Sequence, residues 1–382
     1  RKFLMKILIG SNVHWWNAEA AYAATIAQLL KEAGHTVFVL TRPDSLNAQH
    51  LKERGLRLLT HIDLNSNNPI LLFSAYRKLK KFLLDERIDL INPHRSEGFP
   101  LFVFTARAVR SVCPEKTLPV IRTRGTTRQL LQHWLNRKMH TDWTEFYITT
   151  GEIVSKRLLN SADIFEEKLK TIYYPVVCPE LPLQPRKDFR NEFKIPEKAK
   201  VLAVVGRIRP VKGQRILLQS LSQLLPEFPD LVLLIPYRDT AVNEPEMQAL
   251  RSDIRSLNLE ANIRLIPERD DIRKLMEFAD AGVVSSVDSE VICRVAVEFF
   301  SVATPVVAFP TGCLPEIIRD GENGLLVKNQ TPEALTKELR KILANPELRE
   351  RLGKGARSDA EIRFNPQKML TETLEVFEHF LN

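Results

Sequence analysis

Short β-rich apolar runs alternate with longer stretches whose apolar residues recur at helical spacing, and the alternation persists along most of the chain. LMKILIG (Leu4 to Gly10) predicts a first strand, and Ala18 to Lys31, rich in helix formers, predicts the helix that follows. Gly34 stops that helix, and VFVL (Val37 to Leu40) reads as the next strand. The pattern continues with a helix over Pro69 to Leu84, a strand over Asp89 to Asn92, a helix over Phe99 to Arg110 and a strand over Pro119 to Arg122. A helix over Arg128 to Asn136, a strand over Phe146 to Thr150, a helix over Glu152 to Leu159 and a strand over Lys170 to Tyr173 complete this half. Strands separated by helices pair in parallel, so the predicted fold class is α/β with a doubly wound, Rossmann-like sheet.

Five prolines (Pro175, Pro179, Pro182, Pro185, Pro196) then break the alternation, which places an interdomain linker at residues 178–200. Strand patterns resume at Val201 to Val205, Leu231 to Ile235, Ile263 to Ile266, Ala281 to Ser286, Pro305 to Phe309 and Gly324 to Val327, each followed by a helical stretch. The expected organisation is a Rossmann-like domain over 1–177, the linker, and a second Rossmann-like domain over 201–365. A C-terminal helix over 366–382, after the break at Asn365-Pro366, packs back on the first domain.

Composition narrows the class. A chain of 382 residues exceeds one ordinary core. No apolar run approaches the roughly 20 residues that span a bilayer. Arg1 to Leu4 precede Met5, a candidate start, and are too short for a signal peptide. Cys113, Cys178, Cys293 and Cys313 lack metal or disulfide spacing and read as reduced thiols of a cytoplasmic protein. The net charge of +8 is uneven: residues 1–180 hold 26 Lys and Arg against 17 Asp and Glu, while residues 181–382 hold 29 against 30. A basic field in one half points to an anionic partner. Arg77-Lys78-Leu79-Lys80-Lys81 reads as a solvated helix face, but the excess also includes Arg95, Arg107, Arg110, Lys116, Arg122, Arg124 and Arg128, several of them at or just after predicted strand ends. They lack the interleaved aromatics that stack bases, so an acidic membrane or phosphorylated acceptor fits better than nucleic acid.

In open parallel sheets ligands bind beyond the C-terminal strand ends. The loop GRIRPVKG (Gly206 to Gly213) follows the strand at Val201, and its Arg207 and Lys212 suit a diphosphate. SEVICRVAVE (Ser289 to Glu298) carries two glutamates with seven residues between them. If a helix begins near Cys293, its first N–H groups can receive phosphate. Glu298, inside the second turn, can then accept two hydrogen bonds from a ribose diol. PTGCLPEII and DGENGLLV (Asp320 to Val327) read as turns, and Asp271 as the N-cap of a helix beginning at Ile272.

GRIRPVKG, the spaced glutamates, TPVVAF and DGENGLLV, in this order, resemble the C-terminal domain of the family 4 retaining glycosyltransferases of the GT-B fold. MKILIG and DLINPHR (Asp89 to Arg95) resemble that family's first domain. The resemblance implies two Rossmann-like domains facing across a cleft and transfer of a sugar from a nucleotide donor with retention. It implies neither metal nor cofactor, and UDP-sugar is the first choice of donor. It places Gly206, Arg207 and Lys212 on the donor diphosphate, Glu298 on the ribose, and Glu290 on the sugar with Ile292, Cys293 and Arg294 around it. Pro267 and Arg269 fall near the nucleobase, and His94 at the catalytic face with Arg207, Lys212 and Glu290. His14, Asn17, Arg95 and Arg124 are acceptor-side candidates. Two departures are HWWNAEA (His14 to Ala20), where the family has a glycine-rich loop, and Val291-Ile292-Cys293-Arg294, where it often has glycines. Together with the basic excess, the resemblance suggests an anionic glycan or lipid-linked acceptor of lipopolysaccharide or cell-envelope synthesis. The enzyme would then be cytoplasmic and peripheral on the inner face of the membrane. The alternatives are a GT-B epimerase or phosphorylase, or a non-catalytic nucleotide-sugar-binding protein; a dehydrogenase is disfavoured because no G-x-G-x-x-G follows either first strand.

Overall fold

A computed structural model describes residues 4–64, 66–161, 164–184, 188–237, 244–288 and 290–381. The expectations that touch Arg1, Pro185 and Ser289 fall outside these residues. The chain forms two compact units, one of Arg1–Tyr174 with Pro366–Asn382 and one of Pro175–Asn365.

Among the described residues the first unit has seven parallel strands: β1 (Lys6–Gly10), β2 (Thr36–Leu40), β3 (Arg57–Leu59), β4 (Leu90–Pro93), β5 (Ile121–Arg124), β6 (Phe146–Thr149) and β7 (Leu169–Thr171). They lie in the orders β3-β2-β1-β4 and β5-β6-β7, joined by a parallel bridge between Ile91 and Val120. Leu8 and Ile91 of the sheet pack against Leu79 and Leu83 of the helix Pro69–Asp85 and Phe102 and Val103 of the helix Phe99–Val112. The last helix, Pro366–His379, buries Met369, Val376 and Phe377, and Glu375 pairs with Lys170 of β7 at 2.7 Å.

The second unit has β8 (Val201–Ala203), β9 (Val232–Tyr237), β10 (Ile263–Pro267), β11 (Ala281–Val284), β12 (Val306–Ala308) and β13 (Gly324–Leu326), in the order β10-β9-β8-β11-β12-β13, all parallel. This is the doubly wound Rossmann order, reversing direction between β8 and β11. Leu202, Leu233 and Val283 pack against Leu217 and Leu221 of the helix Gln214–Leu224 and Leu335 and Leu339 of the helix Pro332–Ala344. The segment 178–200 lies in this unit and contains a short helix, Phe189–Glu192.

Three expectations need correction. The helix expected over Arg128 to Asn136 is Trp134–Thr141 instead. The Arg124 guanidinium donates to the carbonyls of Thr126 and Arg128, holding that stretch as a loop, and His133 caps the later helix by accepting from Asn136 N at 3.2 Å. The strand expected over Pro119 to Arg122 runs two residues later, and β3 with the helix Leu46–Glu53 had no predicted counterpart. Among the described residues no helix is long and apolar enough to cross a membrane.

Candidate functional site

The residues singled out in the second half converge where the strand order reverses. After β8 the chain passes Gly206 and the exposed Arg207, makes a tight turn at Pro210–Lys212 and enters the helix Gln214–Leu224 through Gly213. Gly213 has φ 65°, and a Cβ there would lie 2.0 Å from the Ser285 carbonyl oxygen, so this loop lies directly against the one after β11. Val287 N donates to Val211 O at 2.9 Å, and Ser285 Oγ to Lys212 O at 2.9 Å.

This contact brings Lys212 to Glu290. The ammonium pairs with the carboxylate, which also accepts from Ser286 Oγ at 2.6 Å, and the two side chains are 23% and 12% exposed. The turn after β12 holds Glu290 from the other side: Cys313 N donates to its carbonyl at 2.7 Å. At Gly312, with φ 59°, a Cβ would lie 1.7 Å from that same oxygen. Thr311 Oγ1 donates to Ser286 O at 2.7 Å. Three loops, after β8, β11 and β12, are thus interlocked through backbone contacts too close for any side chain at two glycines.

The helix expected to begin near Cys293 is Arg294–Ser301, with Cys293 at its N-cap and φ 54°. Ile292 and Cys293 are buried. Glu298 lies in the second turn between the buried Val297 and Phe299, and its carboxylate accepts from Arg294 Nε at 2.7 Å. The Cys293 and Cys313 sulfurs are 2.6 Å apart, both as free thiols. Sequence spacing gave no sign of that pairing, because it depends on the turns at Cys293 and Gly312.

Pro267 and Arg269 are placed differently. Pro267 is exposed at the end of β10, in register with Tyr237. Arg269 is held by Glu192 at 2.6 Å and by Asp271, over the rings of Phe189 and Phe193. Bonds to Asp271 and Glu192 push its pKa above the usual arginine range. Asp271 occupies the N-cap position of Ile272–Phe278 but makes no capping bond with its side chain, the carboxylate going to Arg269.

In the first unit the order reverses between β1 and β4, and His94 follows β4 directly. Its backbone N donates to Gly10 O at 2.9 Å, which seats it at the reversal. His94 Nε2 lies 2.7 Å from Asn92 Oδ1, while Asn92 Nδ2 donates to Ile121 O at 2.6 Å. An accepting Oδ1 requires the proton on Nε2 and leaves Nδ1 as an acceptor. Burial pushes the His94 pKa down to about 3, so the ring is neutral.

The acceptor-side candidates have structural duties. Asn17 caps the helix Ala18–Glu32 by accepting from Ala20 N at 2.9 Å, and Arg95 pairs with Glu19 and Glu97. His14 touches Arg42 beside a cavity of about 310 Å3 that Asn12, Thr60, His61 and Asp63 also line. Arg122 and Arg124, expected as exposed charge, are buried. Arg122 lies 3.9 Å over the Phe99 ring and donates to Ser96 Oγ at 3.1 Å, with His140 beside it. Burial lowers Arg122 to about 10 and, with Arg122 and Arg124 adding to it, His140 to about 2. Part of the basic excess is therefore internal structure and not a surface field.

Two Rossmann-like units in one chain are the architecture of the GT-B glycosyltransferases. The structure of Anabaena HepE in complex with UDP and glucose superposes with a TM-score of 0.81 at 18% identity, covering 98% of this chain and 100% of that one. Residues 20–178 match Glycosyltransferase Family 4 and residues 185–359 match Glycosyl transferases group 1, and the chain belongs to this family. Among curated relatives, spore coat protein SA of Bacillus subtilis is 26% identical over 60% of this chain and 64% of its own length. D-inositol 3-phosphate glycosyltransferase of Nocardioides is 27% identical over 66% and 57%. The chain thus spans under two thirds of the length of these relatives.

Proposed function

We propose that this protein is a glycosyltransferase that takes a sugar from a nucleoside-diphosphate donor, with UDP-glucose the first donor to try. The observation that carries the reading is the interlocked set of loops at the β8–β11 reversal, which gathers Arg207, Lys212, Glu290 and Glu298 on one edge of one sheet. Glu298 accepts from the ribose hydroxyls, and Arg207 and Lys212 meet the diphosphate. As the bond to the sugar breaks, negative charge grows on the β-phosphate, and cations already in place stabilise it without reorganising. The Lys212–Glu290 pair is the resting arrangement: a diphosphate draws the ammonium away and frees Glu290 for the sugar hydroxyls. Gly206, Ile292, Cys293 and Arg294 shape the pocket wall; Pro267 remains a nucleobase contact, and Arg269 positions the segment beneath it. Neutral His94, with Nδ1 open as an acceptor, takes a hydrogen bond from an acceptor or sugar hydroxyl. Transfer proceeds with retention and without a metal or cofactor, the two cations serving the leaving group.

The acceptor is an anionic glycan or lipid-linked glycan of lipopolysaccharide or envelope synthesis, reached by peripheral binding to an acidic membrane from the cytoplasmic side. Support comes from the helix Pro69–Asp85, which leaves Ile70, Leu71 and Phe73 exposed beside Arg77, Lys78, Lys80 and Lys81. Apolar anchors next to cations suit an anionic lipid surface.

The test is release of glucose from UDP-glucose without acceptor and in EDTA, together with sedimentation on vesicles with and without acidic lipid. We expect slow release that persists in EDTA and is lost in Lys212→Ala, and binding to acidic vesicles that Phe73→Ser weakens. Nucleotide binding without release would favour the second reading, a non-catalytic nucleotide-sugar-binding protein, which the resting Lys212–Glu290 pair also permits.

A further inference from the structure

Cys293 and Cys313 are 20 residues apart in sequence, yet their sulfurs meet at 2.6 Å. Non-bonded heavy atoms ordinarily rest about 3.5 Å or more apart. A sulfur–sulfur bond is about 2.05 Å, so closing it takes a movement of roughly half an ångström. The surroundings hold both cysteines in this relation. Cys313 N is bonded to Glu290 O, and Cys293 Sγ lies 3.7 Å from that same oxygen. Cys293 adopts φ 54°, a left-handed conformation that favours glycine or asparagine over cysteine, so its thiol is presented to Cys313 at the expense of backbone comfort. Both side chains are buried, 3% and 0% exposed, which admits only a small oxidant. Burial and the neighbouring Cys313 thiol also raise the Cys293 pKa well above its ordinary value, so the thiolate is scarce and oxidation of the pair is slow.

We propose that Cys293 and Cys313 are a modification site, closing to a reversible disulfide that locks the loop after β11 to the turn after β12. With hydrogen peroxide, one sulfur as thiolate attacks a peroxide oxygen; the O–O bond breaks, a sulfenic acid forms and hydroxide leaves to become water. The second sulfur then attacks the first, the S–O bond breaks, the S–S bond forms and a second water departs. Two thiols are oxidised by loss of two hydrogens, and one peroxide is reduced to two waters. A dithiol reverses the change. The locked segment includes Glu290 and the first turn of the helix carrying Glu298, and the proposal stands whether or not the protein transfers sugar.

The full chain, treated with hydrogen peroxide at a dose that oxidises the half-buried Cys113 and Cys178, is denatured in iodoacetamide and mapped by mass spectrometry. The expected product is one peptide pair joined through Cys293 and Cys313, lighter by two hydrogens and separated by dithiothreitol. Amide exchange over 290–298 and 311–317 should be about fivefold slower in the oxidised protein than in the reduced one. Cys293→Ser and Cys313→Ser should each abolish the link, and if one variant does not fold the other carries the control. Recovery of Cys293 and Cys313 as separate alkylated or sulfinic residues overturns the site, and a link with unchanged amide exchange overturns the lock. Neither readout requires donor or acceptor, so a failure here is separate from a failure of the transferase reading.

Discussion

Beyond β8, β11 and β12 acid meets base in partly buried pairs, Lys212 with Glu290 and Arg294 with Glu298. At β4 and β5, in a sheet of the same strand order, the polar groups are buried: His94 just after β4 on Asn92, and Arg122 within β5 between Ser96, His140 and the Phe99 ring. One edge holds paired charges that a charged ligand can redistribute by offering a new partner to each. The other holds groups whose protonation states burial has settled, neutral histidines beside permanent cations. An edge of the first kind suits a charged leaving group, and one of the second kind suits a hydroxyl acceptor that needs a directional partner. All eight histidines and all four tryptophans belong to the first unit, so histidine protonation and tryptophan fluorescence report on that unit.

The comparison breaks most severely at Gly312. Gly312→Ala places a Cβ 1.7 Å from the Glu290 carbonyl oxygen at a φ of 59°, and backbone cannot yield as a side-chain tip can. We expect a loss of about 3 kcal/mol or more in the second unit, read by urea titration with hydrogen exchange, while tryptophan fluorescence reports an unchanged first unit. An undiminished second unit would show that the loops are not interlocked as described.

Histidine protonation acts on the other unit. His94 and His140 have folded pKa values of about 3 and about 2, below that of an unfolded histidine. As pH falls below the unfolded value the unfolded chain binds protons that the folded unit refuses, so stability is lost on acidification from near neutrality toward pH 3. Each buried histidine contributes a slope of about 1.4 kcal/mol per pH unit below roughly pH 6. The urea midpoint followed by tryptophan fluorescence should drop accordingly, and His94→Gln should flatten the slope; an equal slope in that variant would mean His94 is protonated in the folded protein.

The smallest expected effect separates the two glutamates. Glu298→Ala should weaken UDP binding about tenfold, the scale of a lost charged hydrogen bond. Glu290→Ala releases Lys212 from its resting pair and should leave UDP affinity unchanged or slightly higher. Calorimetry with UDP alone reads both, and equal losses would end the division of roles.

The alternation of strand and helix was legible because parallel sheets are buried on both faces and show as apolar runs, and all six strands of the second unit appear in that pattern. Strand β3 has three residues, Arg57–Leu59, too few to show a period. Arg122 and Arg124 alternate with Ile121 and Thr123, the texture of a half-exposed strand, but β5 is buried throughout and Phe99 and His140 cover Arg122. The spacing of Lys212, Glu290 and Glu298 was visible along the chain; their partners were not. Lys212 and Glu290 meet only because backbone at Gly213 and Gly312 approaches other backbone, and no periodicity encodes such an approach.

The first unit is written in two instalments, with the chain departing after Tyr174 and returning at Pro366. During translation the helix Pro366–His379 is made only after the whole of the second unit. The helix Ala18–Glu32, on which that last helix packs, meanwhile waits without its partner. Domains ordinarily fold in the order in which they are made. Here the half synthesised first is the half completed last, and its unfinished apolar face is what a nascent-chain chaperone would meet.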